Sequence, residues 1–229
     1  MAKKVGVIIV SAGRGKRLAK GDKAVFKLGN EPLFCKSLNT FSTIGEVGEI
    51  VLVLRKSNFA LAKKYTKDRN KNIRIVEGGE RRTDSVSKGL AALSEDIEYV
   101  LIHDGARPFV TKKTILSMLG ELKKHSAVIC GLKCPDTLKL VKKGVARKTL
   151  DREDVYLIQT PQGFKKEIII SAYKKLNKRK LTDDAQMLEI IGKKVKVIPG
   201  DLLNFKITYP QDLKLAKIIC DELNLRSRI

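Results

Sequence analysis

Val5-Gly-Val-Ile-Ile-Val10 runs straight into Ser11-Ala-Gly-Arg-Gly-Lys-Arg-Leu18. The first half is a continuous apolar run rich in β-branched residues, the pattern of a strand buried on both faces. The second half holds two glycines, Gly13 and Gly15, and together with the residues just after it five cations: Arg14, Lys16, Arg17, Lys20 and Lys23. A buried strand feeding a basic glycine loop is how many α/β sheets begin, and such sheets collect ligands at the carboxyl ends of their strands. Gly13 and Gly15 let the backbone approach a ligand and aim N–H groups at phosphate oxygens. Two better-known phosphate motifs fail here. The dinucleotide fingerprint needs a third glycine where Leu18 stands, and no stretch matches the P-loop pattern.

Outward from this start the chain alternates strand and helix. Pro32 suits the first turn of a helix reaching about Phe41. Residues 49–54 read as a strand, 58–69 as a helix and 73–76 as a short strand ending at Gly78-Gly79. Thr83 or Asp84 is expected to cap a helix running to Leu93. Residues 99–102 form the next buried strand, 111–124 a helix and 127–132 a strand. The alternation predicts a three-layer α/β/α, Rossmann-like architecture with a mostly parallel central sheet. The rhythm breaks at Asp136, where apolar and polar residues alternate up to Gly144 and 145–150 can return antiparallel. Residues 133–157 are therefore read as a β-hairpin arm protruding from a single domain that spans 1–229. Helices are expected at 164–176, 185–191 and 210–223, with a strand at 194–198. In the last helix Leu213, Ala216, Ile219 and Leu223 share a face.

Bulk properties narrow the class. No run of about 18 apolar residues is present for a membrane span, and Val5 to Val10 is too short for a secretory core. The expected location is the cytoplasm. Cys35, Cys130, Cys134 and Cys220 complete no zinc pattern and are read as free thiols. The net charge of +22 favours anionic partners. With aromatic residues at 5% and no Trp, a base-stacking nucleic-acid surface is poorly supported.

Three further groups carry chemistry. Gly78-Gly-Glu-Arg-Arg-Thr-Asp-Ser85 follows a strand and leads into a helix, as an anion- or base-binding corner does; an ordinary strand–turn–helix joint reads the same way. His103-Asp-Gly-Ala-Arg-Pro108 puts Asp104 at a strand end, to hold a metal ion or ligand hydroxyl, or else to pair with Arg107. His103 stands alone and reads as structural. The late segments Asp136-Thr137, Asp151-Arg152, Thr160-Pro-Gln162, Thr182-Asp183-Asp184 and Asn204-Phe-Lys206 pass singly as loops or helix caps.

In order and spacing these segments together resemble the 2-C-methyl-D-erythritol 4-phosphate cytidylyltransferase family, from Val5 to about Asp221. The resemblance implies transfer of CMP from CTP to a sugar-alcohol phosphate in non-mevalonate isoprenoid precursor synthesis. It implies Mg²⁺ as the divalent cation and a homodimer, with neither nucleic acid nor membrane as partner. It assigns Arg17 and Lys23 to the transition state, and Arg152 and Lys206 to the acceptor phosphate. It sets Ala12, Gly13, Gly15, Gly79, Arg82, Ser85 and Ala106 around CTP. Asp104, Arg107, Thr137, Thr160 and Thr182 fall around the sugar alcohol, with Asp104 also the expected protein contact of the metal. By the same resemblance the arm carries Thr137 and Arg152 into the neighbouring subunit's site. Two departures stand out: Ser11 replaces a usual Ala, and Asp22 and Ala24 flank Lys23 where Pro and Gln are common. A ribitol 5-phosphate cytidylyltransferase shares the nucleotide loops and is the alternative; a nucleic-acid-binding module is a distant one.

Overall fold

The protein is described by a computed structural model covering residues 4–13, 15, 22, 25–67, 69, 71–176 and 181–226. In chain order, β1 (Val5–Val10) is followed by two short strands, β2 (Lys27–Leu28) and β3 (Glu31–Pro32), then α1 (Leu33–Ser42), β4 (Val47–Leu54) and a 3-10 turn at Lys56–Asn58. Next come α2 (Phe59–Thr66), β5 (Asn72–Glu77), α3 (Arg82–Ala91), β6 (Tyr99–Asp104), α4 (Lys112–Leu122) and β7 (Ala127–Lys133). β8 (Leu138–Lys142), β9 (Val145–Leu150), β10 (Tyr156–Lys165), α5 (Lys166–Leu176), α6 (Ala185–Ile190), β11 (Lys196–Pro199) and α7 (Pro210–Arg226) complete the described chain.

Seven strands form one sheet in the order β11-β7-β10-β6-β1-β4-β5. Every neighbouring pair is parallel except those made by β10, which runs antiparallel to both β6 and β7. β1 lies inside the sheet, so its apolar residues are buried on both faces. Val5, Val7 and Ile9 pack with Phe34, Leu38 and Phe41 of α1 and Ile115 and Met118 of α4. Ile8 points the other way, towards Val86 and Leu90 of α3 and the α5–α6 layer that includes Ile169, Ala172 and Leu188. The strand period of two thus feeds two cores, which is why β1 reads as continuously hydrophobic. The α/β architecture with its mostly parallel sheet is as the alternation predicts.

Two local expectations are corrected. The helix expected from 164 begins at Lys166, and Phe164 is a fully buried residue of β10. That strand escapes a sequence reading because Pro161 and Gly163 sit inside it and its pairing with β7 is irregular between Ile158 and Gln162. Neither Thr83 nor Asp84 is the N-cap of α3. The helix starts at Arg82, Arg81 is its N-cap, and the Asp84 carboxylate reaches back to accept from Arg81 N at 3.0 Å. In α7, Ala216 and Cys220 are buried while Leu223 is exposed, so only part of the expected face packs inward.

Among the described residues β8 and β9 pair only with each other, and every residue of β9 is exposed. Cys134 N donates to Val155 O at 3.0 Å, closing the base of this hairpin where β7 ends and β10 begins.

Candidate active site

A cleft of about 1020 Å³ opens at the carboxyl ends of β1, β5 and β6. Its walls are loops that continue the strand ladder: Ser11 N donates to Val53 O at 2.8 Å, Gly78 N to Leu54 O at 2.8 Å and Gly105 N to Val10 O at 3.0 Å. The loops meet so closely that two positions exclude a side chain. A Cβ on Gly78 would lie 2.3 Å from Ala12 Cβ, and one on Gly105 would lie 1.9 Å from Ser11 Oγ. The Gly78–Arg81 corner is held by Ser85, whose hydroxyl accepts from Gly79 N at 3.0 Å and donates to Arg81 O at 3.2 Å. Lys88 Nζ donates to Gly78 O at 3.0 Å. Arg55, Lys56, Arg81, Arg82, Lys88 and Lys206 line the cleft against the carboxylates Glu77, Glu80 and Asp104. That balance, among the described residues, suits a polyanion in a concave site, where field lines concentrate.

Asp104 is the centre of the charged wall. Arg82 Nε donates to its Oδ1 at 2.9 Å and Lys206 Nζ to its Oδ2 at 2.5 Å. Burial works against its charge, but the Arg82 and Lys206 cations outweigh burial and hold the carboxyl far below the usual range. Lys206 is placed by its neighbours. Asn204 Nδ2 donates to Thr160 O at 2.8 Å, and Ile207 N donates to Ala106 O at 2.9 Å. The expected alternative, an Asp104–Arg107 ion pair, does not form. Arg107 turns inward, and its guanidinium donates to Asn204 O at 2.7 Å and Ile158 O at 3.5 Å. Burial lowers the pKa of Arg107.

Beneath Asp104 a hydrogen-bond chain fixes the histidine's proton. Asp104 N donates to Thr160 Oγ1 at 3.0 Å, leaving the hydroxyl proton for His103 Nδ1 at 3.2 Å. Nδ1 is then an acceptor, so Nε2 bears the proton and donates to Arg107 O at 3.0 Å. Burial pushes the ring's pKa down to about 4. His103 is thus a neutral structural group, as its isolation in the sequence indicates.

Of the sequence-derived candidates, Ala12, Gly13, Gly15, Gly79, Arg82, Ser85, Ala106, Asp104 and Lys206 all line the one cleft. Thr160 lies behind it, with its hydroxyl engaged inside the protein. Thr182 is exposed and donates through both its backbone N and Oγ1 to Gln186 Oε1. Thr137 and Arg152 are exposed at the arm and do not line the cleft of their own chain; Arg152 donates to Pro135 O. Arg17 and Lys23 lie outside the described residues. Asp22, which precedes Lys23, is engaged elsewhere: Asn58 Nδ2 donates to it at 2.8 Å and Arg55 lies 3.5 Å away.

Sequence reasoning missed Asp184. Its side chain is fully buried, 2.8 Å from Arg82. Thr182-Asp183-Asp184 reads as a helix cap, and half of that is right. Asp183 Oδ1 accepts from Gln186 N at 3.0 Å, which leaves the second carboxylate free to turn inward. Two adjacent acids before a helix, where one suffices as a cap, is the only hint the sequence offers.

The profile of the 2-C-methyl-D-erythritol 4-phosphate cytidylyltransferase family matches residues 5–222. A protein of that name from Clostridium botulinum (strain 657 / Type Ba4) is 42% identical over 228 residues, covering 96% of this chain and 99% of its own. One of the same name from Dehalococcoides mccartyi is 40% identical over 219 residues, covering 94% and 96%. The solved structure of 4-diphosphocytidyl-2C-methyl-D-erythritol synthase from Anaerococcus prevotii superposes with a TM-score of 0.86 at 36% identity, over 95% of this chain and 96% of that one.

Proposed function

Because the chain belongs to the 2-C-methyl-D-erythritol 4-phosphate cytidylyltransferase family, we propose that its cleft carries out that family's reaction with the residues described above. The enzyme transfers CMP from CTP to 2-C-methyl-D-erythritol 4-phosphate and releases pyrophosphate. The observation that carries the assignment to this site is the Arg82–Asp104–Lys206 array, set beside loops whose backbone is bared by glycine. An oxygen of the acceptor phosphate attacks the α-phosphorus of CTP, and the bond to the bridging oxygen of the departing pyrophosphate breaks. A phosphate monoester has a second pKa of about 6, so the attacking group is already mostly dianionic near neutrality and needs no general base. The barrier is then charge and alignment, which fixed cations and positioning lower.

Ala12, Gly13, Gly15, Gly79, Ser85 and Ala106 hold the nucleotide in this reading, with Arg82 at the phosphates. Lys206 draws the acceptor phosphate, and Arg17 and Lys23 stabilise charge as it builds at the α-phosphorus. Thr160 and Arg107 act from behind the cleft, by fixing Asp104 and the 204–206 segment. Arg152 and Thr137 are exposed on an arm that also exposes Leu140, Val141 and Val145, each 54% accessible. An apolar projecting hairpin supports a homodimer in which each arm completes the partner's site.

Mg²⁺ enters in this reading with the triphosphate. The donor set fits that role rather than a protein cage. Among the described residues no three His, Cys, Asp or Glu side chains group together. Asp104 accepts one hydrogen bond on each oxygen, which leaves a lone pair for a single contact while phosphates and water supply the rest. When bound, the ion neutralises phosphate charge. Among the described residues no helix is long and apolar enough to cross a membrane. The four cysteines are buried and form no disulfide, as suits the cytoplasmic location we propose.

The test is pyrophosphate release by the purified chain with CTP and either 2-C-methyl-D-erythritol 4-phosphate or ribitol 5-phosphate. Turnover with the first and not the second is expected; preference for ribitol 5-phosphate refutes the acceptor. Lys23→Ala and Arg17→Ala should each lower kcat by about 10²-fold or more while CTP binding weakens less. Undiminished turnover removes those residues from the mechanism.

A further inference from the structure

We propose that Asp184, sealed behind the cleft, is a positioning residue that fixes the Arg82 guanidinium and, through it, the Asp104–Lys206 pair. The inference rests on the cytidylyltransferase reading of the site.

Arg82 stands between two carboxylates. Its Nε donates to Asp104 Oδ1 at 2.9 Å on the cleft side, and its Nη1 lies 2.8 Å from Asp184 Oδ2 on the buried side. A guanidinium is a rigid planar fork, so contact at two of its nitrogens fixes the plane, whereas one contact leaves it free to swing. The inner anchor is itself fixed from two elements. Tyr173 Oη, on α5, donates to Asp184 Oδ1 at 2.5 Å. Gln162 Oε1, on β10, accepts from Asp184 N and Ala185 N, both at 3.1 Å. Asp183 meanwhile takes the helix-capping role, so the Asp184 carboxylate is not needed for α6.

The charge balance gives the anchor its consequence. With Asp184 ionised, Arg82 divides its attraction between two carboxylates, and Asp104 keeps an oxygen for Lys206 at 2.5 Å. Remove that charge and Arg82 bears on Asp104 alone, or swings towards the triphosphate. Either movement shifts the cation expected at the nucleotide and the cation expected at the acceptor together. A buried ion pair adds little net stability over well-packed apolar residues, so what this one supplies is placement.

The experiment is a kinetic double-mutant cycle on the full chain, with CTP and 2-C-methyl-D-erythritol 4-phosphate. Asp184→Asn keeps the shape and removes the charge. It is expected to lower kcat/KM at least about tenfold in the wild-type background, since small misplacements of catalytic groups are costly. Lysine cannot bridge two carboxylates as the fork does. In an Arg82→Lys background the same change should therefore cost less than about twofold. A merely structural Asp184 would give the same factor in both backgrounds, and that result, or wild-type kinetics for Asp184→Asn, overturns the inference. Should Asp184→Asn fail to fold, Tyr173→Phe carries the same cycle: a severalfold loss that disappears beside Arg82→Lys supports the inference, and an equal loss in both overturns it. A wild-type chain without turnover refutes the functional reading and this inference together; an active wild type without coupling refutes the inference alone.

Discussion

Acidification from pH 7.5 to 4.5 should destabilise the fold through one residue, His103. The ring is fully buried, packs edge-on against Phe41 with centroids 5.2 Å apart, and has both nitrogens committed, Nδ1 accepting and Nε2 donating. Its pKa in the folded chain lies at about 4, below the ordinary 6.5. The folded-state value is depressed, so stability is complete above about pH 6.5 and is lost as pH falls towards 4, because only the unfolded chain takes up the proton. Integrating the two titrations across the interval gives a loss of about 2.5 kcal/mol. That is a large part of a typical stability of about 5–15 kcal/mol. The window is favourable because Asp104, held far below the usual carboxylate range by Arg82 and Lys206, gives up its contribution only at lower pH. The chain has no Trp, so urea unfolding followed by far-UV circular dichroism at fixed protein concentration is the assay. The comparison is with His103→Gln, which cannot titrate and retains an amide to meet Arg107 O. The wild type should lose about 2.5 kcal/mol more than the variant between the two pH values. Profiles that run parallel to within about 0.5 kcal/mol would refute a neutral His103, and with it the proton order assigned to Thr160.

Lys206→Ala should raise the KM for the acceptor and lower its kcat/KM by about 10²-fold, since it removes the cation proposed to draw the acceptor phosphate; steady-state pyrophosphate release checks this. Gly78→Ala forces a methyl group to 2.3 Å from Ala12 Cβ. It should cost about 1–3 kcal/mol in urea unfolding and weaken CTP binding measured by calorimetry, because the two cleft walls must part. Val141→Asp with Val145→Asp charges two exposed apolar positions of the arm. If the arm joins two copies as proposed, sedimentation should show a wild-type dimer and a monomeric variant, with turnover falling as the arm leaves the partner; an unchanged oligomeric state refutes that role of the arm.

The strand–loop junction at Val10 and Ser11 was legible because two local rules agree there: a β-branched apolar run demands burial, and glycines with cations demand a loop near an anion. The same local logic reached the segments of Gly79, Ser85 and Asp104 separately, whereas Lys206 was singled out only by the family resemblance. Local logic failed at β10, whose proline and glycine obscure the strand period, and at the start of α3, where an arginine stands at the cap and the acid serves from the third helical position. By itself, then, the sequence determined an α/β sheet whose first strand runs into a glycine-bearing basic loop, since strand and helix periods and glycine's freedom are properties of neighbouring residues. Only the tertiary structure decided which charges meet. Asp104 and Lys206 are 102 positions apart and touch, while Asp104 and Arg107, three positions apart, do not pair. Ion pairing depends on distance and burial in space, and those are set by how β6, α3, α6 and the 204–206 segment pack together, not by spacing along the chain.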